Sequence, residues 1–387
     1  MGDKCEAKTV VLLCNLRNKQ RRLPYNRNRN FNLKINDMMA LLLGHADVEK
    51  IRVTKKTAEQ KAFSYFKRRR IFLIFLMILS THLMVSLNLQ AQTTQEMTMS
   101  QEYLKEDKAL QEKLSVLLDQ FHGTAGIYVE NLRTGKFAGV HADSIFPTAS
   151  IIKVPILAGV FSQIKAGKLS YNQELTYDTS RTRGGSGLMQ FFKDSSKTSL
   201  DILLSLMISY SDNVAALWCQ QLAGGGTQIN QLLNDYGFKS TRVNSRTPGR
   251  EEAYKEFGWG QTTPREMATL LKLIRQQKIV DPASSDCMYR QMSHIFYDGY
   301  ALSQIPPYIQ TASKQGMVDD SRSELVMVNA PHGDYVFYIA TKNNQDQRWE
   351  KDAEPWVLAR AVSSLLWHYF EPKDKWTPAK KALELVP

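Results

Sequence analysis

The sequence predicts an α+β fold, in which an antiparallel sheet is flanked by helices and joined to an all-helical lobe. Three observations predict it. Residues 126–132 and 137–141 alternate as strands near the start of the ordered part, and residues 324–328 and 335–340 alternate near its end. Apolar helical runs crowd the middle, between Ser150 and Tyr236. A helix accompanies the strands at each end, at 102–118 and at 355–369. Strands from both ends sharing one sheet, with the middle as a separate lobe, let every apolar face find a partner.

Each element has its own signal. In 102–118, Leu104, Leu110, Leu114, Leu117 and Leu118 recur near a 3.6-residue period. Arg133–Thr134–Gly135–Lys136 turns the chain between the first two strands. The run Ile156–Leu157–Ala158–Gly159–Val160–Phe161 is apolar all round, the mark of a buried helix. Residues 166–200 read as loop. Leu200–Tyr210 is a second apolar helix, Ser211–Asp212–Asn213 interrupts it, and Val214–Leu222 resumes it until Gly224–Gly225–Gly226. Thr227–Tyr236 is a short helix, and 238–262 reads as a long polar loop of the kind that carries function. Thr263 and Pro264 open a helix that runs to about Gln277. Tyr308–Ala312 leads into Ser313–Lys314–Gln315–Gly316 as the first of three C-terminal strands.

Charge is distributed unevenly over the 387 residues. The formal balance is +12, and residues 1–70 carry all of it, with 18 Lys and Arg against 6 Asp and Glu. Residues 92–387 balance to zero, so the charge gives no reason to propose a nucleic-acid surface on the main body. Lys67–Arg68–Arg69–Arg70, the apolar run from Ile71 to Leu87, and Ala91 have the order of an export signal cleaved after Ala91. An uncleaved anchor through 71–87, with a basic cytoplasmic tail, is the alternative. Residues 1–66, Arg- and Asn-rich, read as an unfolded extension or as sequence upstream of the true start. Residues 92–387 are then the main domain, with a polar linker at 92–100. Of four cysteines, only Cys219 and Cys287 fall in that domain, so no disulfide framework is expected. The seven histidines form no metal-ligand pair, and neither a metal nor another cofactor is called for.

The chemistry starts from Ser150 and Lys153. Residues three apart on a helix share a face. Burial lowers an amine's pKa, which would make Lys153 a base and Ser150 a nucleophile. Two further motifs follow in order, Ser211–Asp212–Asn213 and Lys314–Gln315–Gly316, at intervals of 61 and 103 residues. With Ser186–Gly187–Leu188–Met189–Gln190 and Thr262–Thr263–Pro264, this pattern resembles the class A β-lactamases and the wider penicillin-recognising serine hydrolases over roughly residues 101–372.

That resemblance implies a β-lactamase/transpeptidase-like fold and acyl transfer at Ser150, with Lys153 as base and Ser211 returning the proton to the leaving nitrogen. It implies substrate contacts from Asn213, Lys314, Gln315 and Gly316, and oxyanion donors from the backbone N–H groups of Ser150 and Met317. The expected partner is a small β-lactam or a peptidoglycan stem peptide, met by a monomer in the bacterial periplasm or cell envelope. Two departures stand out. Gln315 occupies a position where the family carries Thr or Ser. Thr247 falls where class A enzymes place the glutamate that activates the deacylating water, and Glu251 falls nearby as a substitute base. Fast turnover would mark a β-lactamase. A stable adduct would mark a D-Ala-D-Ala peptidase-like enzyme or a membrane-held β-lactam sensor.

Overall fold

The computed structural model describes residues 104–380 and, apart from these, only Met77, which is helical. The expected extension, export segment and polar linker otherwise lie outside the described residues. Among the described residues, no helix is long and apolar enough to cross a membrane.

The chain begins with β1 (Lys105–Glu106), α1 (Lys108–Leu118), β2 (Thr124–Asn131) and β3 (Lys136–Val140). The predicted helix over 102–118 therefore starts late. Asp107 accepts a hydrogen bond from Leu110 N and caps the helix, while Lys105 and Glu106 pair with β3 in parallel. β4 (Phe146–Pro147) and a 3-10 turn (Ala149–Ile152) lead into α2 (Lys153–Lys165). β5 (Glu174–Thr176) and β6 (Lys197–Ser199) form a ribbon ahead of α3 (Leu200–Ser209), α4 (Asn213–Leu222) and α5 (Gly225–Asp235).

The stretch 238–262, expected to be loop, holds β7 (Arg242–Val243), α6 (Glu251–Phe257) and β8 (Gly260–Thr262). Its elements are too short for periodicity to register. β8 lies between β4 and β7 and ties this segment to the strand that enters the Ser150 turn. Next come α7 (Pro264–Arg275), capped by the Thr263 side chain, and α8 (Pro282–Met292), which the sequence reading missed although Asp281 and Pro282 signal its start. β9 (Thr311–Val318), β10 (Ser321–Val328), β11 (Tyr335–Lys342) and α9 (Glu354–Phe370) complete the chain.

The main sheet has the order β1-β3-β2-β11-β10-β9, antiparallel except at β1, so both ends of the chain do share it. Alternation sorts its side chains. Ile127, Val129, Val326, Phe337 and Ile339 face α1 and α9, packing with Leu110, Leu114, Trp356 and Trp367. Tyr128, Leu325, Met327, Val336 and Tyr338 face the other way, into a larger core built with α2, α3, α4 and α7. β9 is the edge strand, and the Ser150 turn packs against it.

Candidate active site

Ser150 stands in the 3-10 turn, one residue after Ala149, whose φ of +42° is left-handed. Such a backbone costs an alanine roughly 1–3 kcal/mol and persists only where the surroundings fix it. Thr148 fixes one side, since its N–H donates to Gly260 O (2.9 Å) and its carbonyl accepts from Ile151 N (2.9 Å). Gly316 fixes the other. A Cβ there would lie 2.5 Å from the Thr148 carbonyl, so the glycine lets β9 close onto the nucleophile's own turn. That is a different close approach from the substrate contact expected of it. Pro155, third residue of α2, lacks the N–H that would bond to the Ile151 carbonyl. The change from 3-10 to α winding falls at this point.

Lys153 is fully buried, and its ammonium is ringed by oxygens. Nζ lies 2.9 Å from Ser150 Oγ, 3.1 Å from Ser211 Oγ, 2.6 Å from the Ser211 carbonyl and 3.0 Å from Asn213 Oδ1. Burial pulls its pKa down to about 7, against the opposing pull of the Asp212 charge. Trp259 closes one wall, with its ring centroid 5.8 Å from Nζ. Lys314, also fully buried, reaches Ser211 Oγ at 3.1 Å and the Gln315 carbonyl at 2.9 Å. Burial and the nearby Lys153 hold its pKa well below the ordinary lysine value, while Glu324 opposes them. Glu324 is itself buried on β10, where its carboxyl is pushed up to about 7. Ser211 thus sits between two amines, each at 3.1 Å.

The loop around Ser211 is held by Asp212. Its Oδ1 accepts from Ala215 N (2.8 Å), capping α4, and its Oδ2 accepts from Leu188 N (2.7 Å) and Met189 N (2.8 Å). Asn213 Nδ2 donates to the Gly184 carbonyl at 3.2 Å, and Asn213 N donates to Ser186 O at 3.0 Å. The segment Ser186–Gln190 therefore clamps the second motif.

A cavity of about 350 Å³ opens at this cluster, and Ser150, Arg183, Asn213, Glu256, Trp259 and Met317 are among its lining residues. Six of the residues predicted from sequence converge here: Ser150, Lys153, Ser211, Asn213, Lys314 and Met317. Gln315 is buried on β9, and its Oε1 lies 3.4 Å from Lys314 Nζ. Glu251 is not brought in. It opens α6, is exposed, accepts from Gly249 N at 3.1 Å and lines an adjoining hollow. Thr247 turns away as well. Its Oγ1 donates to the Ser245 carbonyl and packs against Gly226 of α5, where an added Cβ would lie 1.7 Å from it. Sequence reasoning missed Arg183, Glu256 and Trp259. The α6–β8 turn brings Glu256 and Trp259 to the cavity, and no spacing rule encodes it.

The model of the β-lactamase enzyme family matches residues 109–370. β-Lactamase VEB-1 of Pseudomonas aeruginosa is 21% identical over 275 residues, which is 67% of this chain and 89% of that protein. Among solved structures, a point mutant of PBP-A, determined as an acyl-enzyme complex with penicillin G, is 28% identical with a TM-score of 0.62. The match covers 69% of this chain and 98% of the mutant. A β-lactamase from Chitinophaga pinensis has the same fold, with a TM-score of 0.61 at 20% identity, over 67% of this chain and 99% of that one. The expected α+β, β-lactamase/transpeptidase-like fold is thereby borne out, and the chain belongs to the β-lactamase enzyme family as a β-lactamase-like serine hydrolase.

Proposed function

We propose that this chain is an exported hydrolase of β-lactam amide bonds that works through an acyl-enzyme on Ser150. The observation that carries the reading is the hydrogen-bonded series Ser150–Lys153–Ser211–Lys314, which needs no histidine or metal. Lys153, with a pKa near neutrality, accepts the Ser150 proton as Oγ adds to the lactam carbonyl. The backbone N–H groups of Ser150 and Met317 receive the oxyanion. When the C–N bond breaks, Ser211 delivers a proton to the leaving nitrogen and is resupplied from the lysines on either side. Water then cleaves the ester and frees Ser150.

Deacylation divides two readings. Thr247, packed on Gly226, offers no base, which favours a D-Ala-D-Ala peptidase-like enzyme whose β-lactam adduct persists. Glu256, a carboxylate lining the Ser150 cavity, favours turnover. Intact-mass time courses with a penicillin test both. A transient adduct on Ser150 that decays within the assay supports the hydrolase, and a lasting adduct supports the peptidase-like enzyme. Absence of any adduct on Ser150 together with no consumption of the penicillin would sink both.

A further inference from the structure

Beside the Ser150 cavity lies a second hollow of about 730 Å³, lined by Arg183, Leu217, Arg246, Tyr254 and Trp259 among others. Arg183 and Trp259 line both spaces, so the two hollows adjoin. The two arginines differ from the charges around them. Lys255 at the same rim is held by Glu252 at 2.7 Å, and Glu251 accepts the Gly249 N–H. Neither Arg183 nor Arg246 forms an ion pair among the described residues. Arg246 carries a left-handed backbone, with φ of +50°, held by the Ser245 and Asn244 N–H groups on the Trp259 carbonyl and by Thr247 N on Asn244 O. Tyr254 is 40% exposed and supplies an aromatic face.

We propose that this hollow is a second subsite, one that receives the far arm of the acyl donor when that arm is peptide-like and ends in a single carboxylate. The inference rests on the acyl-enzyme reading above. Guanidinium groups match the planar carboxylate with paired N–H donors. The stem of the arm lies against Tyr254 and Trp259, while its reacting carbonyl lies at Ser150. Lys153 and Lys314 are buried beneath the first cavity, so a distant anion needs its own cations.

The test uses the full chain and three penicillins whose side chains carry the same short peptide linker, ending in a carboxylate, a carboxamide or an amine. Acylation of Ser150 is followed by intact mass, with an unextended penicillin as reference. The carboxylate arm is expected to react about five- to tenfold faster than the carboxamide arm, with the advantage shrinking as salt is added. Arg246→Gln should bring that ratio close to one, and Arg246→Glu should turn the preference toward the amine. Equal rates for the three arms, or an unchanged ratio in Arg246→Gln, overturn the subsite while leaving the acyl-enzyme intact. No adduct with the unextended penicillin and no consumption of it overturns the subsite together with the reading beneath it.

Discussion

Lys153 makes its hydrogen bonds to neutral oxygens, and Asp212 acts on it only through space. Burial keeps its neutral form ready near pH 7, and that form is the base. Acylation by a neutral-side-chain penicillin is expected to rise with pH through an apparent pKa of about 7, read from a stopped-flow or mass-based pH profile. A flat profile between pH 5 and 9 would count against Lys153. Burial has a stability consequence of known sign. The unfolded lysine holds its proton up to about 10.5 and the folded one only to about 7, so the penalty is full below pH 7 and fades as pH rises toward 10.5. Lys153→Met should remove it, raising Tm near neutral pH while cutting acylation by about a thousandfold or more. The charged loop residues separate in the same way. Glu256 lines the Ser150 cavity and Glu251 does not, so Glu256→Gln should slow adduct decay about tenfold or more and Glu251→Gln should leave it within about twofold. Equal effects from the two would place the water-activating group elsewhere.

At the scale of elements, the active site is a joint between a 3-10 turn, an edge strand and a capped helix, and Gly316 is where β9 closes onto the turn. Gly316→Ala would push a methyl group to 2.5 Å from the Thr148 carbonyl, and neither β9 nor the turn can yield without moving Ser150. The expected cost is about 1–3 kcal/mol of stability, seen in urea unfolding, together with a tenfold or greater loss of acylation in the fraction that stays folded. Normal acylation in that fraction would show that the turn does not depend on β9. Much of this joint was legible in the sequence. Ser150 and Lys153 show a helical spacing, and the intervals to Ser211 and Lys314 follow a pattern of motifs. Asp212 was readable as a cap from its residue type, and it does cap α4. What stayed hidden depended on contacts between distant segments. Residues 238–262 looked like loop because β7, α6 and β8 span only two, seven and three residues, and they gain order by pairing with β4 and packing against Ile152. Counting positions put Glu251 near the chemistry, but α6 begins at that residue and carries its later turn, with Glu256, to the cavity instead. Gly226 was read as a helix terminator, yet it lies inside α5 as the seat for Thr247.

Over the whole molecule, the sheet joins two apolar cores through the alternate faces of the same strands. The core under α1 and α9 packs against Met317 and backs β9 and β10, the strands that carry Lys314 and Glu324. β2 lies between β3 and β11, so the N-terminal strands complete their hydrogen bonding only beside the C-terminal ones. The two cores should accordingly unfold together. Trp356 tests this from the side remote from Ser150. It is buried in the far core and stacks on Tyr300 at 3.8 Å between ring centroids, next to Ala301, whose N–H donates to Glu324 at 2.7 Å. Trp356→Ala removes a large buried aromatic and should cost about 3–5 kcal/mol. If the sheet couples the cores, the urea midpoint read by far-UV circular dichroism and the midpoint read by Ser150 acylation should fall by the same amount, with the slope unchanged. Loss of acylation at lower urea than loss of helix would show the helical lobe separating first. In that case the 3.1 Å contact between Ser211 and Lys314, which bridges lobe and sheet, would be the interaction that fails.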